Sequence, residues 1–437
     1  MRRYLSVILS LTMMICFFTG CKKTQELDDK SGGGTTTPTQ SAVIDATENS
    51  NITNPLETTE FLQTESTESA TQPTAPKPTE PNPTEPAEGN EKIIAGGDWD
   101  FGPVKWKITD DGVLSFSGNR SIQAKPTYIW KDYTNIVTKV VFEEGITTVP
   151  ENAFSDMYNI KSVHFGDAVK QIGDNAFSGC TSLESVTISK GIKTIGEYAF
   201  WKCANLKSLS FAADCTLEEI KTGAFAETGL RELNTPPSLR IIRGGAFQNC
   251  KSLKTVRLEG GVQEVFGESF KNCTGLESIV LGESLTDVSS YAFKGCKAVT
   301  TLEYNTSVGM EFGEFTQLTT VSIGGNRTET GHFNHCTSLK NVTIGPNITE
   351  ISDRAFRDTG VETITIPPSV TKIGLSAFRD SALKELYFTG NAPTFARNTS
   401  SFIFLNVTAT AYYPAGDPTW RESVRQNYDG TITWVAK

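Results

Sequence analysis

The sequence predicts a β-rich solenoid: parallel strands stacked coil on coil, joined by short turns or 3-10 segments and closed by a cap at each end. Three observations predict it. A unit reading Ile172-Gly173-Asp174-Asn175-Ala176-Phe177-Ser178-Gly179-Cys180 returns one period later as Ile195-Gly196-Glu197-Tyr198-Ala199-Phe200-Trp201-Lys202-Cys203. Between copies lies an L-x-x-L-x-L triplet, whose last alternation is that of a strand with one face on a core. A unit this short cannot bury its own apolar face, so neighbours must stack.

The first twenty residues are a targeting segment. Arg2 and Arg3 precede an apolar run from Tyr4 to Phe18, too short for a membrane span. It ends at Phe18-Thr19-Gly20-Cys21, which resembles the bacterial lipobox, with Phe18 where that motif usually has Leu. The resemblance implies cleavage before Cys21 and lipidation of its thiol, and hence a membrane reached through a lipid anchor only. Cleavage removes two arginines and no acid, so the net charge moves from -10 to -12.

Residues 21–95 read as a linker. They are rich in Thr, Pro, Glu and Ser, with almost nothing apolar to bury. Prolines at every second or third position of Pro78-Thr79-Glu80-Pro81-Asn82-Pro83-Thr84-Glu85-Pro86 favour an extended, semi-rigid spacer. Four lysines against twelve acids in residues 22–90 give this stalk a charge of -8. Most of the negative charge therefore sits in the stalk, leaving the folded part near -4, and an acidic chain has no footprint for nucleic acid.

Residues 96–136 are expected to cap the stack. Trp106 to Phe116 reads as a hairpin turning at Asp110-Asp111-Gly112, and Trp99, Trp106 and Trp130 as capping core. Residues 137–388 hold the repeats. Their first anchors are Val137, Ile160, Leu183, Leu206, Leu230, Leu253, Leu276, Val299, Leu318, Leu339, Val361 and Leu383. The separations are 23, 23, 23, 24, 23, 23, 23, 19, 21, 22 and 22. Twelve strands side by side make a stack roughly 55 Å long. A second apolar set, I-x-x-x-A-F, predicts an inner phenylalanine spine of Phe154, Phe177, Phe200, Phe225, Phe247, Phe270, Phe293, Phe333, Phe356 and Phe378. Residues 389–437 are the second cap.

The unit I-G-x-x-A-F-x-x-C-x-x-L-x-x-V-x-I closely resembles the BspA-like leucine-rich repeat of bacterial surface proteins. The resemblance spans residues 96–437, from Asp111-Gly112-Val113-Leu114 to the closing Trp420, Asn427-Tyr428-Asp429-Gly430 and Trp434-Val435. It implies a right-handed leucine-rich repeat solenoid with a role in adhesion or binding at the cell surface. It carries over no site residues.

Nine cysteines in an exported chain invite a disulfide framework. Yet Cys180, Cys203, Cys250, Cys273, Cys296 and Cys336 all lie three residues after a spine Phe, in a slot that elsewhere holds Met157, Thr228, Thr359 or Ser381. Such a slot is a small inward rung, and free buried thiols are expected; Cys215 lies off it. His332, His335 and Cys336 have zinc-ligand chemistry, but Cys336 should face inward and His335 outward, so no metal and no cofactor is expected. No catalytic motif appears, and an enzyme is not expected. The outward strand positions, among them His164, Thr187, Arg257, Thr320, Thr343 and Thr365, form a hydroxyl-rich strip. The shortened coils at 305–335 supply the binding candidates Tyr304, Phe312, Arg327 and His335, because loops carry function more often than scaffold does. The expected function is a monomeric surface lipoprotein for protein interaction or adhesion, with an unidentified extracellular protein or glycan as partner. The alternative, glycan capture for nutrition, requires an aromatic cluster on one face.

Overall fold

The structure is a computed structural model that describes residues 92–99, 103–397 and 402–437. The expected signal segment, Cys21 and nearly all of the linker lie outside the described residues. The solenoid begins with an antiparallel meander, β1 (Ile93–Trp99), β2 (Val104–Thr109) and β3 (Val113–Ser117). The Trp106 to Phe116 hairpin is present, turning at Gly112 with φ of 85°. The additional strand β1 was not expected. β3 then pairs in parallel with β4 (Lys139–Phe142), and from there each coil adds one strand of three or four residues until the last two, Thr408–Tyr413 and Thr431–Ala436, which have six.

Three ladders hold one coil to the next. The first is the long-strand ladder, in which residues such as Val186 and Ile188 point inward while Ser185 and Thr187 point outward. The second is a row of two-residue strands, Thr148–Val149 through Asp287–Val288 and Glu350–Ile351 through Thr394–Phe395. Sequence inspection had anticipated only turns there.

The third ladder runs beside the spine. Around each Phe from Phe154 to Phe270, and again from Phe333 to Phe404, the residues two before and two after have positive φ, as at Asn175 (54°) and Gly179 (74°) around Phe177. Alternating left- and right-handed residues aim every second N–H along the solenoid axis. Thus the N–H groups of Asn175, Phe177 and Gly179 donate to Glu197, Ala199 and Trp201 of the next coil. Those of Ala176, Ser178 and Cys180 close turns within their own coil. The arrangement satisfies buried backbone that has neither helix nor strand. It also explains why Gly, Asn and Asp recur at these slots, since they tolerate left-handed geometry best.

The phenylalanines stack as expected. Successive rings from Phe154 to Phe293 lie 4.9 to 5.4 Å apart and within 10° of parallel. The stack runs past the expected C-terminal boundary, because Phe404 lies 5.7 Å from Phe378. Phe312 also belongs to it, stacked 5.1 Å from Phe333. Trp130 seals the first coil against Trp99, Tyr128 and Phe116, its indole N–H donating to the Ala153 carbonyl at 2.8 Å. Trp420 and Trp434 seal the last against Phe388.

One expectation needs correction. The twelve repeat strands do not form one continuous sheet. Among the described residues the long-strand ladder is three sheets, broken between Ser208–Phe211 and Glu232–Asn234 and again between Asn341–Ile344 and Thr363–Ile366. In intact coils the residue after the strand donates its N–H to the last strand residue of the coil before, as Gly345 does to Ile323 and Thr389 to Ile366. At both breaks that slot holds a proline, which has no N–H to give: Pro367 directly after Thr363–Ile366, and Pro236, one residue beyond Thr235, at the repeat position where Ala212 donates to Ile188 in the coil before.

Candidate functional site

The outward rows of the long-strand ladder are the most extended exposed feature. His164, Thr187, Thr343 and Thr365 are exposed, and Arg257 and Thr320 half-exposed, as the register requires. Thr187 and Ser210 bond to each other at 2.8 Å across adjacent coils. The strip is polar and fixed in spacing by the strands beneath it.

The short coils at 305–335 are built differently from the expected binding loop. Tyr304, Phe312 and Arg327 are all buried, at 0%, 2% and 4% exposure. As they stand they touch the core and not solvent. Loss of four residues removes the coil's short strand and interrupts the spine, and among the described residues no ring contact joins Phe293 to Phe312. Tyr304 packs on the C-terminal side of the interruption, edge-on to Phe312 and Phe333 at 4.9 and 6.2 Å. Arg327 lies 3.9 Å from the Tyr304 ring and donates to the carbonyls of Thr306, Val308 and Glu329. Burial pulls its guanidinium below the usual range, opposed by Tyr304 and Glu329. The carboxylate of Glu314 accepts the Gly295 N–H at 3.2 Å, where a regular coil would offer a backbone carbonyl. His335 alone of the four candidates reaches the surface; its Nδ1 pairs with Asp358 at 2.8 Å.

The seven cysteines among the described residues are free and buried. Each ladder thiol donates to the carbonyl of the previous coil's spine Phe, as Cys203 does to Phe177 and Cys336 to Phe312 at 3.2 and 3.4 Å. Thr228, Thr359 and Ser381 in the same slot bond their own coil's Phe carbonyl. Burial pushes the Cys203 and Cys336 thiols up to about 12, far from a reactive thiolate. Cys336 points inward while His335 points out and His332 Nδ1 meets the Asp353 carbonyl at 3.0 Å. Among the described residues no three His, Cys, Asp or Glu side chains converge as a metal site, and no helix is long and apolar enough to cross a membrane.

Six copies of the sequence model for the BspA type leucine-rich repeat region match residues 126–254, 241–332 and 311–410. The chain belongs to the BspA-type leucine-rich repeat family. The chain is also similar to several solved structures. A leucine-rich repeat protein from Bacteroides ovatus is 19% identical, with 79% of this chain and 98% of that one covered at a TM-score of 0.36. A leucine rich cell surface protein from Faecalibacterium prausnitzii is 23% identical, covering 70% and 97% at 0.28. A leucine-rich repeat protein from Eubacterium ventriosum is 19% identical, covering 70% and 99% at 0.30. A search of curated proteins found no match.

Sequence reasoning missed one half-buried surface feature of this BspA-type solenoid. Tyr387 and Tyr412, in register on neighbouring strands, stack 4.7 Å apart and within 11° of parallel. They stand at the C-terminal end of the strip, beside the second ladder break. The signal was present in the outward position shared by Thr365 and Tyr387, but Tyr412 had been assigned to the cap rather than to a strand.

Proposed function

We propose that this chain is a non-catalytic, lipid-anchored cell-surface protein that presents a leucine-rich repeat solenoid for protein interaction or adhesion. The observation that carries the reading is the strand face: rows of exposed short side chains held in fixed register over many coils. A rigid, pre-ordered surface of this kind loses little conformational entropy when a partner covers it. The weakly acidic solenoid on a more acidic, proline-rich stalk suits display away from a membrane, and several acyl chains on Cys21 would hold it firmly, at roughly 0.8 kcal/mol per buried CH₂.

Two measurements test it. Cys21→Ala should move the full-length chain from the membrane fraction to the soluble fraction; unchanged fractionation sinks the anchor. Thr187→Arg with Thr320→Arg should abolish adhesion to a surface coated with extracellular protein, and undiminished adhesion moves the interaction off the strand face.

A further inference from the structure

The second ladder break opens a local site within the strand face, distinct from the intact rows on either side of it. Between Asn341–Ile344 and Thr363–Ile366 lies an open groove of about 600 Å³, lined by Lys340, Asn341, Thr343, Glu362, Thr363 and Thr365. That size suits a small ligand. Pro367 removes the donor that would close the two strands here, so backbone N–H and C=O groups on the facing edges go without their usual partners. Val342 and Ile344 are correspondingly half-exposed, whereas Val186 and Ile188 in an intact coil are buried.

An aromatic pair stands one strand beyond the groove's Thr363–Ile366 wall. Thr365 is in register with Tyr387, which stacks on Tyr412 at 4.7 Å, the spacing of adjacent strands. The ring planes therefore lie across the solenoid axis, and the face of Tyr387 turned away from Tyr412 is on the side of Thr365, the groove residue next to it in register. Its hydroxyl donates to Glu385 at 3.1 Å, which fixes the ring. The Lys437 ammonium is 5.1 and 4.8 Å from the two ring centres, so it flanks the pair and leaves that face clear.

We propose that this groove binds a neutral oligosaccharide, with a sugar ring against Tyr387 and its hydroxyls on the Asn341, Thr343, Thr363 and Thr365 side chains. A pyranose offers an apolar C–H face and a rim of groups that both donate and accept. The groove, with that ring beside its wall, offers one aromatic face, hydroxyls, an amide and unpaired backbone of both senses. Its lining carries one charge of each sign, Lys340 and Glu362, so it offers no positive cluster for an anionic ligand. An inserted peptide strand does not fit. The facing strands remain within 8 Å, whereas insertion needs roughly twice the 4.8 Å strand spacing.

The test is calorimetric titration of the full-length chain with neutral hexose tetramers, α- and β-linked glucans and mannans, and with their sulfated counterparts. At least one neutral tetramer should bind. Tyr387→Ala should weaken it about tenfold, equivalent to about 1.4 kcal/mol, and Tyr387→Phe should not. Thr365→Arg, an exposed strand position, should block the groove without touching the core, while the remote exposed Tyr291→Ala should leave binding intact. Failure of every neutral tetramer to bind overturns the proposal. So does tighter binding of a sulfated form, or indifference to both Tyr387→Ala and Thr365→Arg. Adhesion lost in the strand-face variants with oligosaccharide binding retained separates this site from the protein-interaction reading.

Discussion

Arg327 shows how a residue that looks functional in sequence becomes structural in three dimensions. A coil lacking four residues has fewer backbone N–H groups, and its carbonyls face inward without partners. A guanidinium carries several donors in a planar fork and stays charged on burial. It satisfies three carbonyls and lies flat on Tyr304 at once. Arg327→Ala should therefore destabilise the protein by roughly 3 kcal/mol or more, since each orphaned buried carbonyl costs about 1–3 kcal/mol. Arg327→Lys should recover little of it, because a point ammonium cannot reproduce the fork. Denaturant midpoints read this directly, and an unchanged midpoint in Arg327→Ala would refute the plug. Burial at these positions was illegible because the period of 19 announced an irregular coil without saying which side chains turned inward. Phe312 could have been placed by counting, since it precedes Leu318 by the same six residues that separate Phe177 from Leu183.

At the scale of the element, a single missing N–H divides a sheet. The alternation of Val186, Thr187 and Ile188 made the strands and their outward rows legible, because period two and burial on one face leave one register. The breaks were equally written in the chain, in Thr235-Pro236-Pro237-Ser238 and Ile366-Pro367-Pro368-Ser369. They were not legible until the structure showed that the slot after each strand is a donor. The two-residue ladder and the axial N–H ladder left no periodicity to read, since two residues and alternating φ signs are invisible to hydrophobic patterning. The strand Thr363–Ile366 should accordingly show weaker amide-exchange protection than Glu385–Phe388, on the groove side only. Pro367→Ser restores a donor opposite Ile344 and should raise that protection and narrow the groove. Equal protection in both strands of the parent protein would mean the ladder is closed in solution.

Across the whole molecule the interruptions are staggered. The long-strand ladder breaks at Pro236 and Pro367, but there the short strands or bridges and the spine continue, as in Glu219 pairing with Ile241 and Phe333 stacking on Phe356. The spine and the short strands lapse near 293–312, but there the long strands Ser278–Leu281, Thr301–Tyr304 and Thr320–Ile323 remain paired. Each of these junctions keeps at least one ladder. In a stack whose stability is a sum of coil and neighbour terms, this arrangement removes the weak joint at which unfolding would stop. The chain should therefore unfold in one transition although its main sheet is in three pieces. Five of the six tryptophans lie in the caps, so fluorescence reports the ends while circular dichroism reports the coils between. Trp130→Ala should cost about 3–5 kcal/mol, as large aromatic truncations do, and should shift both signals together. If the fluorescence transition moves and the dichroism transition stays, or if residues 232–344 keep their amide protection after the N-terminal coils have lost theirs, the staggered ladders do not couple the molecule end to end.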